Sequence, residues 1–431
     1  MIAALCHLIV RTFFREVVIE GRENLPAAGP VIFTPNHPNA LVDPLLLYLL
    51  PPAFRIRFVA KAPLFRIPVY GRLLRWAGAF PVVRRLDQAG EIDYSEFFDS
   101  CVEALAGGDS IAIFPEGRSL PQPFLAPLRT GPARLFFLAR ERGVEVRIVP
   151  VGLNYERGAV FRSSALIAIA PSVDTEPFEA TFHADPVSAV RQLTETIAAS
   201  LERHVFQAES YRDRELMLLL ERLYAEDQSD DSWPQRFARL KELEKGLSSL
   251  REVCRQEIDR LRRLLARYQR LSSVFDVDVA LHPMPSRRWW LDALASATGM
   301  VLAGLGWLLN WPPYRLCGYL VRLTKGNEAG AATYKIFYSL ILFPLSYAAE
   351  GMLIMLWFGW VGVIAFASLI VPLSYFTLRF FEWREEGAAG YGKSLKWFGA
   401  TASRRAAEQL ARLRNRIIAE VDALAARPEL R

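Results

Sequence analysis

The sequence predicts an α/β domain with a mixed, largely parallel sheet flanked by helices, followed by a helical hairpin and a C-terminal transmembrane hairpin. Three observations carry that expectation. Short β-branched runs alternate with helical patterns from residue 17 to about 175. A long charged helix then repeats apolar residues every three or four positions. Near the C-terminus lie two apolar runs, each long enough to cross about 30 Å of hydrocarbon.

The elements follow in order. "MIAALCHLIVRTFFRE" opens the chain with a short apolar run that Arg11 and Arg15 interrupt. It lacks a charged leader and a small-residue cleavage site, so it does not have the pattern of a signal peptide. Residues 1–16 are therefore taken as an amphipathic helix, resting on a membrane face or packed on the domain. The expected strands are Val17–Glu20, Val31–Pro35, Arg55–Ala60, Phe80–Arg84, Ser110–Pro115, Val146–Tyr155 and Ala165–Ala170. Helices are expected over Tyr94–Gly108 and Gly131–Gly143, each ending in glycine, a common helix stop. This domain spans 17–215.

Residues 216–280 read as a helical hairpin. Its seam is Leu240, Leu243, Leu247, Leu250, Cys254, Ile258, Leu261, Leu265 and Tyr268. The seam packs within the chain or pairs two copies as a homodimer. Residues 281–400 form the membrane-embedded region, with spans at Ile336–Trp357 and Gly359–Leu378 joined near Phe358. A third apolar stretch, Trp290–Trp311, carries Asp292 and several glycines. Arg287 and Arg288 precede it; Arg315, Arg322, Lys325 and Lys335 follow it; Arg379, Arg384, Lys393 and Lys396 follow the last span. Basic residues favour the cytoplasmic side. A two-span hairpin with 290–311 re-entrant or interfacial satisfies all three groups, and it puts the α/β domain on the cytoplasmic face. Residues 401–431 form a basic C-terminal helix.

Composition agrees. The 431 residues are 52% hydrophobic with a net charge of +6, and arginine far outnumbers lysine. Mean hydropathy is +0.14, the excess collecting after Trp289. A mild basic excess suits an anionic membrane surface or anionic substrates. There is no basic run interleaved with stacking aromatics, so nucleic acid is not expected as a partner. Cys6, Cys101, Cys254 and Cys317 are far apart with no CxxC pair, so neither a zinc site nor a disulfide framework is expected.

"NHPNALVDP" (Asn36–Pro44) puts one of five histidines just past an expected strand, six positions before an aspartate. A histidine beside a carboxylate suits general-base work, because the carboxylate fixes the ring tautomer and stabilises the imidazolium. A structural histidine at a strand end fits the same two residues. Three further stretches follow in order: "GAFPVVR" (Gly78–Arg84), "FPEGRS" (Phe114–Ser119) and the Val149–Val151 strand.

These four blocks together resemble the glycerolipid acyltransferase superfamily, the PlsC-like glycerol-3-phosphate and lysophosphatidate acyltransferases, over residues 15–215. The resemblance implies a membrane-bound transfer of a fatty acyl group from acyl-CoA or acyl carrier protein to glycerol 3-phosphate or lysophosphatidate. The thioester is a co-substrate, and no metal or other cofactor is implied. His37 becomes the general base on the acceptor hydroxyl and Asp43 its orienter. Arg84, Arg118 and Lys61 bind the acceptor phosphate, with Arg85 the alternative to Arg84. Glu116 holds acceptor hydroxyls or hydrogen-bonds the backbone of its turn, and Gly117 lets the backbone approach the ligand. The Val149–Val151 strand shapes an acyl groove, and His183, His204 and His282 are structural. Two departures stand out. Five residues separate His37 from Asp43 where four are usual, and the third block lacks a threonine before its arginine. Both resemble the fungal glycerol-3-phosphate/dihydroxyacetone-phosphate branch. On a regular helix the extra residue would turn the aspartate by about 100°, so the loop must absorb it. A non-catalytic lipid-binding or scaffolding protein with the same fold is the other reading. A lipid hydrolase is disfavoured by the absence of a Gly-x-Ser-x-Gly elbow.

Overall fold

The computed structural model describes residues 2–83, 93–225, 232–253, 255–275, 289–324, 330–388 and 401–425. In chain order the first elements are α1 (Ile2–Phe13), β1 (Glu16–Glu20), β2 (Val31–Pro35), α2 (Val42–Leu47), β3 (Ile56–Lys61), α3 (Pro68–Trp76) and β4 (Phe80–Val82). Next come α4 (Ser95–Ala106), β5 (Ser110–Ala112), α5 (Gly131–Glu141), β6 (Arg147–Tyr155), β7 (Ser164–Ile169), α6 (Glu176–Ala184), α7 (Pro186–His204) and α8 (Tyr211–Ala225). The remainder is helical: α9 (Trp233–Val253), α10 (Arg255–Phe275), α11 (Trp289–Leu323), α12 (Ala331–Ala388) and α13 (Thr401–Ala425). The described residues form two compact units. One comprises Met1–Arg214, Ser232–Lys241 and Gly326–Thr333; the other comprises Glu215–Asp231, Glu242–Lys325 and Tyr334–Arg431.

The first unit holds the predicted sheet. Its seven strands lie in the order β1-β7-β6-β2-β5-β3-β4, and only the β6–β7 pair is antiparallel. The central strand β2 is buried at every residue, as expected where helices cover both faces of a parallel sheet. Successive side chains alternate between the faces. Ile32, Ile111 and Ile148 pack with Leu105 of α4, Leu135 and Phe136 of α5, and Leu193 and Ile197 of α7. Phe33 turns the other way, edge-on to Phe54 at 5.5 Å. Each large side chain buried this way contributes about 1.5–3 kcal/mol. The strand expected over Ser110–Pro115 ends at Ala112, and the residues after it form the turn that reaches the site.

The N-terminal helix has two faces. Cys6, Val10 and Phe13 are buried, whereas Leu8 is 65% exposed. His7 Nε2 donates to the Tyr48 carbonyl at 2.9 Å. The Arg162 guanidinium donates to the carbonyls of Arg11 and Phe14, satisfying backbone acceptors at and beyond the helix end.

In the second unit the seam residues Ile258, Leu261, Leu265 and Tyr268 of α10 are buried. The helix that packs along α10 is α13, distant in sequence, with Arg260 paired to Glu420 at 3.1 Å. Arg414 donates to the Leu223 carbonyl through both Nε and Nη2.

α12 breaks at Gly359, whose φ of 60° and ψ of −161° lie outside the helical region. The two arms fold back on each other, Tyr347 of the first meeting Ser374 of the second. Each arm exceeds the about 20 residues that span a bilayer, and α12 is long and apolar enough to cross a membrane. It is not a core helix, since Leu356, Trp357 and Val361 are 77%, 84% and 80% exposed. α11 lies against both arms through small and polar residues, the usual chemistry of helix contacts in lipid. Gly299 backs onto Phe380, and Gly306 onto Thr377. Asn310 bonds Ser374 and Tyr347, and Thr324 bonds Tyr338. From Gly299 to Asn310 these contacts climb toward Gly359; from Asn310 to Thr324 they descend. Pro312 and Pro313 lie just past the summit.

Candidate active site

β2, β3, β4 and β5 are parallel neighbours in the sheet, so the loops after Pro35, Lys61, Val82 and Ala112 open at one edge. β6 runs parallel to β2 with Val151 opposite Pro35, and it continues past that point to Tyr155. The "NHPNALVDP" segment lies between these ends.

Each polar side chain of that segment has a defined task. Asn36 bonds both the N–H and the carbonyl of Leu153, tying the end of β2 to β6. His37 Nδ1 lies 2.8 Å from Asp43 Oδ2. Asn39 donates its backbone N–H to the same oxygen at 2.7 Å and its side-chain amide to the Gly158 carbonyl at 2.9 Å. Asp43 has no exposed surface. Its other oxygen, Oδ1, accepts the Tyr155 hydroxyl. Burial, and then the neighbouring carboxylate, push the Tyr155 phenol well above its ordinary range, so it stays a donor.

The expected disruption from the five-residue spacer is absorbed in the loop. Ala40 adopts a left-handed conformation with φ 44°, uncommon for a residue with a Cβ. Its N–H donates to Ser119 Oγ at 2.8 Å, and that of Leu41 to Thr333 Oγ1 at 3.2 Å. α2 then begins at Val42 with Asp43 in its first turn.

The third block wraps the histidine. The Phe114 ring stacks on the imidazole at 4.0 Å. Glu116 Oε1 accepts the His37 N–H at 2.6 Å, and Oε2 accepts the Ala126 N–H at 3.2 Å. Of the two roles that suit Glu116, the geometry is therefore the backbone one: a buried carboxylate whose oxygens are both engaged by main chain. Burial pushes its carboxyl above the ordinary glutamate range, while the two backbone donors and His37 pull it back. Gly117 has φ 69°, the turn conformation that glycine adopts without strain. Leu120 donates its N–H to the His37 carbonyl at 3.2 Å. Arg118 is exposed on this stitched turn, next to Ser119. Lys61 ends β3 and is exposed, two strands from β2 or about 10 Å across the sheet. Arg84 and Arg85 lie outside the described residues. No group of three or more His, Cys, Asp or Glu among the described residues is placed to hold a metal ion.

The arrangement has the chemistry a general base requires. The tautomer that satisfies Asp43 carries its proton on Nδ1, which leaves the Nε2 lone pair available for a hydroxyl proton. The side chain of His37 keeps 18% of its surface exposed, so it is reachable.

Residues 16–154 match the model of the acyltransferase family. Over 141 residues, 32% of the chain, the sequence is 32% identical to a chloroplastic 1-acyl-sn-glycerol-3-phosphate acyltransferase of Brassica napus, covering 38% of that protein. It is 30% identical over 141 residues to glycerol-3-phosphate O-acyltransferase 1 of Saccharomyces cerevisiae, covering 19% of it. These matches thus span less than two-fifths of either relative. Among solved structures, the 1-acyl-sn-glycerophosphate acyltransferase of Thermotoga maritima aligns with 46% of this chain and 77% of its own, at 20% identity and a TM-score of 0.34.

The Tyr155–Asp43 contact yields a prediction. Losing one donor to a buried carboxylate should cost about 1.5–3 kcal/mol. Unfolding free energies of Tyr155→Phe, Asp43→Asn and the double variant should therefore be non-additive by about 1 kcal/mol or more. Additive losses would show that the hydroxyl does not bond Asp43.

Proposed function

We propose, from the match of residues 16–154 to the acyltransferase-family model, that the chain is a membrane-bound O-acyltransferase. It moves a fatty acyl group from an acyl-CoA or acyl carrier protein thioester to the hydroxyl of glycerol 3-phosphate or lysophosphatidate. The observation that carries the proposal is the 2.8 Å His37–Asp43 contact, set at the carboxyl edge of the sheet with Nε2 left basic. His37 removes the acceptor proton as the hydroxyl oxygen attacks the thioester carbonyl. The tetrahedral adduct expels the thiolate, which takes the proton back from the imidazolium, so no acyl-enzyme forms. Such a base is worth about 10²–10⁴ in rate. Asp43 holds the ring and offsets its charge in the transition state.

Arg118 supplies an exposed guanidinium beside the histidine's own turn, suited to a phosphate that accepts two hydrogen bonds at once. Lys61 is the second cation and Arg84 the third. The wide spacer and the missing threonine favour glycerol 3-phosphate as acceptor, as does the name of the yeast relative. A non-catalytic lipid-binding role is less well supported, because an intact His–Asp pair with an available Nε2 serves no purpose in it.

The apolar arms of α12 anchor the protein, and α11 enters from the side of the hairpin base and returns to it, with Asn310 deepest. Arg315, Arg322 and Arg379 then lie at the base, on the cytoplasmic side with the catalytic domain.

Two outcomes follow. Purified full-length protein should acylate labelled glycerol 3-phosphate or lysophosphatidate, and Arg118→Ala should raise the acceptor KM about tenfold or more while the thioester KM changes less than about twofold. A raised thioester KM with an unchanged acceptor KM would move the phosphate site away from Arg118. Single cysteines at Arg322 and Arg412, in a background without native cysteines, should label from the same side of sealed vesicles, and one at Phe358 from the other. Opposite labelling of Arg322 and Arg412 would mean that the base of the hairpin does not keep to one side.

A further inference from the structure

The catalytic loop is not completed by the acyltransferase domain alone. Between His37 and Asp43 the chain leaves regular structure, so its amides need acceptors of their own. Asn39 gives its N–H to Asp43, Ala40 to Ser119 and Leu41 to Thr333. Asp43 and Ser119 belong to the blocks that match the family; Thr333 lies 292 positions beyond Leu41. It belongs to the first turn of α12, just before that helix becomes the apolar arm. Thr333 is 8% exposed and Ala332 is fully buried, so this turn is packed. Leu41 is the residue before α2, the helix whose first turn carries Asp43, and none of its own side-chain atoms can cap that helix.

We propose that Thr333 is a positioning residue for acyl transfer: its hydroxyl fixes the Leu41 amide, and through it the angle at which α2 presents Asp43 to His37. This rests on the function proposed above. The consequence is that the segment ending at Thr333, which belongs to the first unit, is part of the active-site architecture. The extra residue in the spacer is what calls for it. A loop lengthened by one residue carries an additional amide, and here the amides of Ala40 and Leu41 are met from outside the segment, by Ser119 and Thr333, while that of Val42 turns back to the Asn39 carbonyl. Without the Thr333 hydroxyl, the Leu41 N–H is left unmet against a loop that Ala40 already holds in an uncommon conformation.

The test uses the full chain in detergent or nanodiscs, with Thr333→Val, which keeps the shape and removes the hydroxyl, and Thr333→Ser, which restores it. Steady-state kinetics with glycerol 3-phosphate and an acyl-CoA are paired with hydrogen–deuterium exchange of the peptide containing Leu41. Thr333→Val should lower kcat about tenfold, as small displacements of a catalytic pair do, with both KM values within about twofold. Exchange at the Leu41 peptide should accelerate, and Thr333→Ser should recover both readouts. The proposal is overturned if Thr333→Val keeps wild-type kcat, if Thr333→Ser fails to recover it, or if exchange is unaltered. If the wild-type protein transfers no acyl group to either acceptor, the function reading fails instead. The exchange comparison then still decides whether Thr333 holds the loop.

Discussion

A carboxylate with no exposed surface is tolerable only when hydrogen-bond donors surround it, and Asp43 sets that condition for the site. Its donors come from three places: the imidazole it orients, the backbone of its own loop, and a tyrosine at the end of β6. To bring them together, β6 must run beside β2 and past its end, which fixes the centre of the sheet order. The loop must also curl back on itself, which places Ala40 at positive φ. Glu116 plays the matching part for the histidine's backbone, so two buried carboxylates hold His37, one at its main chain and one at its ring.

That division of labour separates two kinds of residue that sequence motifs blend. In the third block, Phe114 and Glu116 face inward to the histidine, whereas Arg118 faces solvent. The inward pair fixes how the imidazole is posed, and on the proposed function the outward residue is the one left to meet the acceptor.

Much of this was legible in the sequence, for identifiable reasons. The strands announce themselves as short apolar runs, most plainly β2, β6 and β7, which are buried almost throughout as in strands covered on both faces. Ser110–Pro115 reads as longer than the strand because Ile113 and Phe114 look like strand residues; Ile113 still donates its N–H to the Phe33 carbonyl, but Phe114 turns aside to pack on His37. The His37–Asp43 pair was legible through the three blocks that follow it in order, since the pair alone fits a structural histidine as well. Tyr155 was not, since nothing in spacing links residue 155 to residue 43; only parallel pairing of β6 with β2 brings it there. For Glu116 the sequence allowed two roles, and only the positions of two amide groups choose between them. Thr333 was invisible for the plainest reason, its distance along the chain. Toward the C-terminus, the Gly359 turn was legible, but the helix that packs on α10 was not, because α13 follows the long apolar α12.

The account stands on His37 being the base. The most direct measurement is turnover of His37→Ala in the full-length protein, with an acyl-CoA and whichever acceptor the wild type uses. Circular dichroism and membrane extraction should match the wild type. Loss of a general base predicts a fall in kcat of about 100-fold or more. A variant that is folded and membrane-bound yet keeps more than about a tenth of wild-type turnover would contradict the account.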